Sequence, residues 1–217
     1  MHTPFDLHEE CPSFLFFSQK EAIARLKNVI QTNGLGILSG EIGSGKSTII
    51  RILASSLNPS EYEVVYLCSA GLVPKELYSG LLIALGEEPS FALPKIKAQW
   101  RAILDNLILD GKKLVIFIDE SHELPSTSLL EMRFLLNHKM DSNSPFSIIL
   151  SGQPRFRTEL RLKAYEAISQ RVKIQYHLTG MNKDETKEYI LNSQAKYHIH
   201  MKLFFETNYT IDNILFR

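Results

Sequence analysis

Short apolar runs alternate with segments of helical periodicity along most of the chain. The runs predict β-strands at residues 35–39, 62–68, 114–118, 146–150 and 172–177. Apolar residues spaced three and four apart predict helices at residues 19–31, 49–57, 74–85, 95–109, 127–138 and 182–193. Residues 114–118 are apolar without interruption, as expected of a strand covered on both faces. The alternation predicts an α/β domain built on a parallel sheet.

A glycine-rich stretch lies between the first predicted strand and the second helix. It fits the phosphate-binding pattern G-x-x-x-x-G-K-[ST] without a mismatch, and it consists of Gly40, Glu41, Ile42, Gly43, Ser44, Gly45, Lys46, Ser47 and Thr48. Glycines let backbone N–H groups turn toward a phosphate, and the N-terminus of the following helix adds partial positive charge. Lys46 would bind the outer phosphates of ATP, and the Ser47 hydroxyl would bind Mg2+.

An acidic pair, Asp119 and Glu120, follows the apolar strand at residues 114–118. Ligands of parallel sheets bind at the carboxyl ends of the strands, so these carboxylates are expected beside the glycine loop. Asp119 would hold Mg2+ directly or through water, and Glu120 would orient or deprotonate the attacking water. The glutamate therefore favours hydrolysis over nucleotide binding alone. His122 has no metal-ligand spacing and is interpreted as incidental.

Further polar residues lie between the fourth predicted strand and the fifth. Ser151 or Gln153 could reach the γ-phosphate or the attacking water, or these residues could form only a strand-to-helix turn. Arg171 could reach the nucleotide of a neighbouring subunit, or it could be a salt-bridged surface residue. A basic cluster could follow a nucleic-acid backbone or form a solvated helix face; its members are Arg155, Arg157, Arg161 and Lys163.

Composition narrows the partners and the compartment. The formal net charge is zero, so nucleic-acid binding would need a local patch. The two cysteines, Cys11 and Cys68, indicate a reducing compartment without a disulfide. The N-terminus does not resemble a signal peptide, and no apolar segment approaches the roughly 20 residues of a membrane span. We therefore expect a cytoplasmic protein.

Three regions are predicted: an N-terminal arm at 1–18, a nucleotide-binding domain at 19–179 and a partial helical lid at 180–217. The arm is aromatic and could pack near the nucleotide base or cover the core. Ser18 is a candidate N-cap for the first helix, and Asn182 with Glu185 forms a candidate capping box for the last. Trp100 is predicted to lie in the core because it shares an apolar helix face.

The chain resembles AAA+ P-loop ATPases, and within them the ExeA-type secretion ATPases and the transposon-encoded ATPases that partner transposases. The resemblance rests on the glycine loop, on Asp119-Glu120-Ser121-His122, on Ser151-Gly152-Gln153-Pro154 and on Gln170-Arg171-Val172. It implies a three-layer fold with the strand order 5-1-4-3-2 and nucleotide-dependent homo-oligomers. It also implies that Asp119 belongs to Walker B, Glu120 is the catalytic glutamate, Ser151 or Gln153 is sensor 1, and Arg171 is the arginine finger.

The resemblance also shows a departure at the lid. The family's lid usually continues into a Gly-x-Pro-Arg sensor 2 segment, which this sequence lacks. We therefore expect a truncated lid. The first functional hypothesis is an ATPase that assembles on DNA and assists a transposase. The alternatives are a secretion-assembly ATPase, whose relatives usually carry a transmembrane helix and a peptidoglycan-binding module, and a nucleotide-gated binding module with little turnover.

Overall fold

Five parallel strands form a single sheet in the order β2-β3-β4-β1-β5. The computed structural model describes residues 15–68, 71–136, 146–183 and 185–188. The strands are β1 (Leu35–Gly40), β2 (Tyr62–Cys68), β3 (Lys113–Asp119), β4 (Phe146–Gly152) and β5 (Val172–Leu178). The predicted strand order is confirmed.

Burial follows the strand order. Every residue of β1 and β4 is buried, and so is every residue of β3 after Lys113. The edge strands β2 and β5 are only partly buried. The continuous apolar runs thus mark the strands that are covered on both faces.

Helices connect the strands and cover the sheet. They are α1 (Phe17–Gln31), α2 (Lys46–Ser55), α3 (Pro74–Ala84), α4 (Leu93–Leu109), α5 (Ser126–Leu135), α6 (Pro154–Glu159) and α7 (Glu166–Ser169). Helix α1 packs against α2 and against strands β5, β4 and β1, whereas α3 packs against α4 and α5. Alternate residues of a strand point to opposite faces, so these two helix groups and the sheet form the predicted three layers.

The apolar face under α3, α4 and α5 contains an aromatic cluster. Trp100 is 3% exposed and meets Tyr78 and Phe146 edge to face, with ring centroids 6.5 and 6.0 Å away. Its predicted place in the core is confirmed.

Some predicted boundaries were wrong. Helix α1 begins at Phe17, so Ser18 lies inside the helix and is not its N-cap. Helix α2 begins at Lys46 rather than residue 49, because the glycine loop leads directly into the helix. Strand β4 continues through Gly152, so Ser151 lies in a strand and not in a turn.

The described residues divide into two units, those within 17–180 and those within 15–16 and 181–188. In the second unit, the Asn182 amide donates to Glu185 Oε2 (2.9 Å) and the Glu185 amide to Asn182 Oδ1 (2.8 Å). The predicted capping box is therefore present. The remainder of the predicted lid, most of the arm and Cys11 lie outside the described residues. Across the described residues, no helix is both long and apolar enough to cross a membrane.

Candidate nucleotide site

The glycine loop joins the end of β1 to the start of α2. Gly43 and Gly45 have φ values of 79° and 94°, in the left-handed region that side chains with a Cβ disfavour. Gly40 is needed for a different reason. A Cβ there would lie 2.5 Å from Ser44 Oγ and 2.8 Å from the Leu178 carbonyl oxygen on the neighbouring strand. The loop therefore requires glycine at its first position for space and at the other two for backbone shape.

Lys46 is buried and contacts the start of this loop. The residue is 7% exposed, and its ammonium donates to the carbonyl oxygens of Gly40 (2.9 Å) and Glu41 (3.0 Å). Ile42 at the tip of the loop is 83% exposed. The Lys46 ammonium is thus held at the loop by backbone carbonyls, which a phosphate group can replace as its hydrogen-bond acceptors.

Asp119 lies at the carboxyl end of β3 and is 3% exposed. Its Oδ2 accepts from the Ser47 hydroxyl (3.0 Å) and the Tyr66 hydroxyl (3.3 Å), and its Oδ1 accepts from the Glu120 amide (2.9 Å). The structure therefore brings together both predicted metal ligands, Ser47 and Asp119.

The residues present fit a magnesium nucleotide. Mg2+ prefers oxygen ligands, and a hydroxyl oxygen and a carboxylate oxygen meet at the Ser47–Asp119 contact. Ser44 Oγ, inside the loop, is buried without a hydrogen-bond partner. A buried hydroxyl of this kind is suited to donate to a phosphate oxygen.

Glu120 has an unusual backbone. Its φ is 51°, so a residue with a Cβ occupies the left-handed region directly after Asp119. Its side chain is 45% exposed, and its Oε2 lies 3.3 Å from Nδ1 of His122. Strained backbones of this type are concentrated at functional sites. The bend separates the buried carboxylate of Asp119 from the solvent-facing carboxylate of Glu120.

Strand β4 lies between the two halves of the site. Ser151 pairs with Leu38 of β1, and Leu150 pairs with Ile118 of β3. Ser151 is fully buried, and its hydroxyl has no hydrogen-bond partner. Gln153 lies beyond the strand and precedes α6, and its amide nitrogen lies 3.4 Å from His122 Nδ1. The two sensor candidates thus differ in environment, and the sensor assignment stays a prediction.

Arg171 lies at the other end of the sheet. It precedes β5, whose first residue Val172 pairs with Leu35 at the start of β1, whereas the glycine loop follows the end of β1. The Arg171 guanidinium donates to the Arg133 carbonyl (2.9 Å). Arg171 is therefore not brought to the nucleotide site of its own chain, and a role at a neighbour's site stays a prediction.

The basic cluster is only partly free at the surface. Arg155 forms an ion pair with Glu123, and Arg157 Nε is buried without a hydrogen-bond partner. Arg161 and Lys163 are exposed.

Sequence reasoning missed Tyr66 and Cys68 on edge strand β2. Cys68 pairs with Asp119 in the sheet register, and the Tyr66 hydroxyl reaches the same carboxylate. Burial, followed by the charge of Asp119, raises the pKa of Tyr66, which therefore remains a hydrogen-bond donor. Burial, followed by the carboxylates of Asp119 and Glu120, raises the pKa of the Cys68 thiol. The strand adjacency of β2 and β3, contained in the predicted order, was the signal that could have identified them.

Comparison with known proteins places this site in a family. The family described as AAA domain matches residues 28–160. General secretion pathway protein A of Aeromonas hydrophila is 31% identical over 198 residues, which cover 86% of this chain but 35% of that protein. The chain thus spans about a third of that relative's length.

Solved structures share the fold at low identity. The Aeropyrum pernix ORC2 protein, in ADPNP and ADP complexes, has a TM-score of 0.64 and 16% identity over 87% of this chain and 54% of that one. The Aeropyrum pernix ORC1 protein, in complex with DNA, has a TM-score of 0.66 and 17% identity over 88% and 52%. These likenesses support the fold.

Proposed function

This chain belongs to the AAA domain family of P-loop ATPases, and we propose that it binds ATP with Mg2+ and hydrolyses it. The observation that carries the proposal is the contact between Ser47 Oγ and Asp119 Oδ2 at 3.0 Å. It joins the glycine loop to the acidic end of β3, so one magnesium nucleotide can be bound by both.

Each residue then has a defined part. The loop amides and Lys46 would bind the phosphates, and Ser47 and Asp119 would hold Mg2+. Bound Mg2+ would neutralise charge on the β- and γ-phosphates. Glu120 would accept the proton of the attacking water, because its exposed carboxylate directly follows the buried Asp119 in the chain.

Turnover of Mg-ATP by Glu120→Gln, compared with wild type, tests the proposal. We expect hydrolysis to fall by roughly 100-fold or more, because a positioned general base contributes about 10²–10⁴ in rate. Nucleotide affinity should stay within about threefold, since Glu120 is not a proposed phosphate or metal ligand. Glu87→Gln, at an exposed loop residue, is the matched control for the loss of one carboxylate. Equal turnover in Glu120→Gln and wild type would contradict the assignment.

For the biological role, the similarity to a secretion-pathway protein favours a secretion-pathway ATPase. The similarity to General secretion pathway protein A extends over 86% of this chain, beyond the generic glycine loop. The transposition role instead depends on the basic cluster, of which Arg155 is already paired with Glu123. We therefore place the secretion role first and the DNA-dependent role, with DNA and a transposase as partners, second.

Retention of duplex DNA on a filter, with Mg-ATP and rising salt, separates these roles. The DNA-dependent role predicts that affinity falls as salt rises. When Arg161 and Lys163 are changed to Gln, the slope of log affinity against log salt concentration should decrease by the equivalent of roughly one to two phosphate contacts. Lys27→Gln, at an exposed position of α1, is the control for the loss of a positive charge outside the basic cluster. Absence of retention at low salt would eliminate the DNA-dependent role and leave the secretion role.

A further inference from the structure

A buried histidine lies between the end of β3 and the end of β4. The side chain of His122 is 3% exposed, and its ring nitrogens face different partners. Nδ1 lies 3.3 Å from Glu120 Oε2, and Nε2 lies 3.2 Å from Glu123 Oε1. We propose that His122 is a positioning residue, which orients the carboxylate of Glu120 for hydrolysis. The inference rests on the proposed ATPase function.

The ring is itself fixed from several sides. Nδ1 can donate to Glu120 Oε2 only when it carries a proton, and in that state the amide nitrogen of Gln153, 3.4 Å away, is a packing neighbour of the ring in the segment that follows β4. Glu123, on the other side of the ring, forms an ion pair with Arg155 of α6. Glu120, His122, Glu123 and Arg155 thus form a continuous chain of polar side chains from the site to the surface. An orientation fixed at both nitrogens is what a positioning role requires.

Space for the ring is provided by a glycine. A Cβ at Gly152 would lie 3.3 Å from the His122 amide nitrogen and 3.4 Å from Nδ1. The contact with the amide nitrogen is tighter than an ordinary van der Waals contact, so a side chain there would require His122 to shift slightly. Gly152 does not have a left-handed backbone. Its small size is therefore explained by the approach of His122.

The contact gives Glu120 a direction that its backbone alone does not fix. The Glu120 side chain is 45% exposed. In the described part of the chain, its carboxylate contacts Nδ1 of His122. An exposed carboxylate without a partner would sample several rotamers. The base would then be in place for only part of the time, which lowers the rate without lowering nucleotide affinity.

Three substitutions of His122 separate positioning from a structural role. Asn places an amide at the position of Nδ1 and can retain the contact with Glu120. Gln places an amide at the position of Nε2 and can retain only the contact with Glu123. Ala removes both. We expect kcat to fall by about tenfold or more in Ala and Gln and by less in Asn, while KM for ATP stays within about threefold.

A double-mutant cycle with Glu120→Gln tests the route of the effect. If His122 acts through Glu120, His122→Ala lowers kcat in the wild-type background but not in Glu120→Gln. Equal kcat losses in both backgrounds, an increase of kcat in His122→Ala, or equal losses in Asn and Gln would each overturn the proposal.

A readout without turnover distinguishes failure of this proposal from failure of the ATPase function. The ring 15N resonances of His122, assigned by their loss in His122→Asn, should shift in Glu120→Gln. A shift with no detectable ATP hydrolysis by wild type would refute the proposed function and leave the contact established. Unchanged resonances would refute the contact even in an active ATPase.

Discussion

Gly43→Ala and Gly111→Ala place the same strain at two positions with different consequences. Their φ values are 79° and 69°, and a Cβ at either would meet no atom within 4 Å. The cost is therefore backbone strain alone. It amounts to about 1–2 kcal/mol for a residue with a Cβ in the left-handed region.

The two backbones differ in how firmly they are held. Gly111 follows the C-terminus of α4, where its amide donates to Ile108 and the Lys112 amide donates to Leu107 (2.9 Å). This closes the helix, so the strain should appear as a loss of about 1–2 kcal/mol in the free energy of unfolding. Gly43 lies in an exposed loop, which can relax until nucleotide binding forces it back.

For Gly43→Ala, the strain should therefore appear in nucleotide affinity. A cost of 1–2 kcal/mol corresponds to about 5- to 30-fold weaker binding of Mg-ATP. Titration with a fluorescent ATP analogue measures the affinity, and urea unfolding measures the stability. We expect Gly43→Ala to lose affinity with stability nearly unchanged, and Gly111→Ala to do the reverse. Wild-type affinity in Gly43→Ala would refute the role of the loop conformation.

Three more predictions concern residues around the site. Tyr66→Phe removes a 3.3 Å hydrogen bond to Asp119 and should lower the free energy of unfolding by about 1 kcal/mol in urea; no change would mean that the bond contributes nothing. Arg171→Ala should leave ATP affinity intact but abolish any increase of kcat with protein concentration, which assays over a range of concentrations measure; a loss in dilute monomer would contradict a role at a neighbour's site. In a Cys11→Ser background, alkylation of Cys68 should have its midpoint above the ordinary thiol pKa of 9.0, because burial and then the Asp119 and Glu120 carboxylates disfavour the thiolate. Glu120→Gln removes one of these charges, so it should lower that midpoint, and an unchanged midpoint would contradict the electrostatic cause.

Much of the fold could be predicted from the sequence because both faces of the central strands are buried. Continuous apolar runs identified β3 and β4, and the strand order followed from the family resemblance rather than from periodicity. The strand ends were harder to predict. Ser151 and Gly152 are polar or small, yet both are buried, because β4 is flanked by strands at its carboxyl end as well.

The glycine loop and Asp119 could be predicted because their chemistry requires particular residue types at fixed spacing. The buried position of His122 could not, because it depends on neighbours about 30 residues away in the sequence, namely the Gln153 amide and the space left by Gly152. Tyr66 was missed for a similar reason. Its hydroxyl reaches Asp119 only through the pairing of β2 with β3, and its side chain otherwise resembles that of any aromatic strand residue.

The most direct test of the account is calorimetric titration of Mg-ATP into the folded chain and into Lys46→Ala. The account predicts one binding site in the wild-type chain, since Lys46 and the Ser47–Asp119 pair lie at the same glycine loop. It also predicts loss of most of the binding in Lys46→Ala, because that substitution removes the full positive charge for the outer phosphates. Absence of heat in the folded wild-type chain, or identical binding by Lys46→Ala, would contradict it.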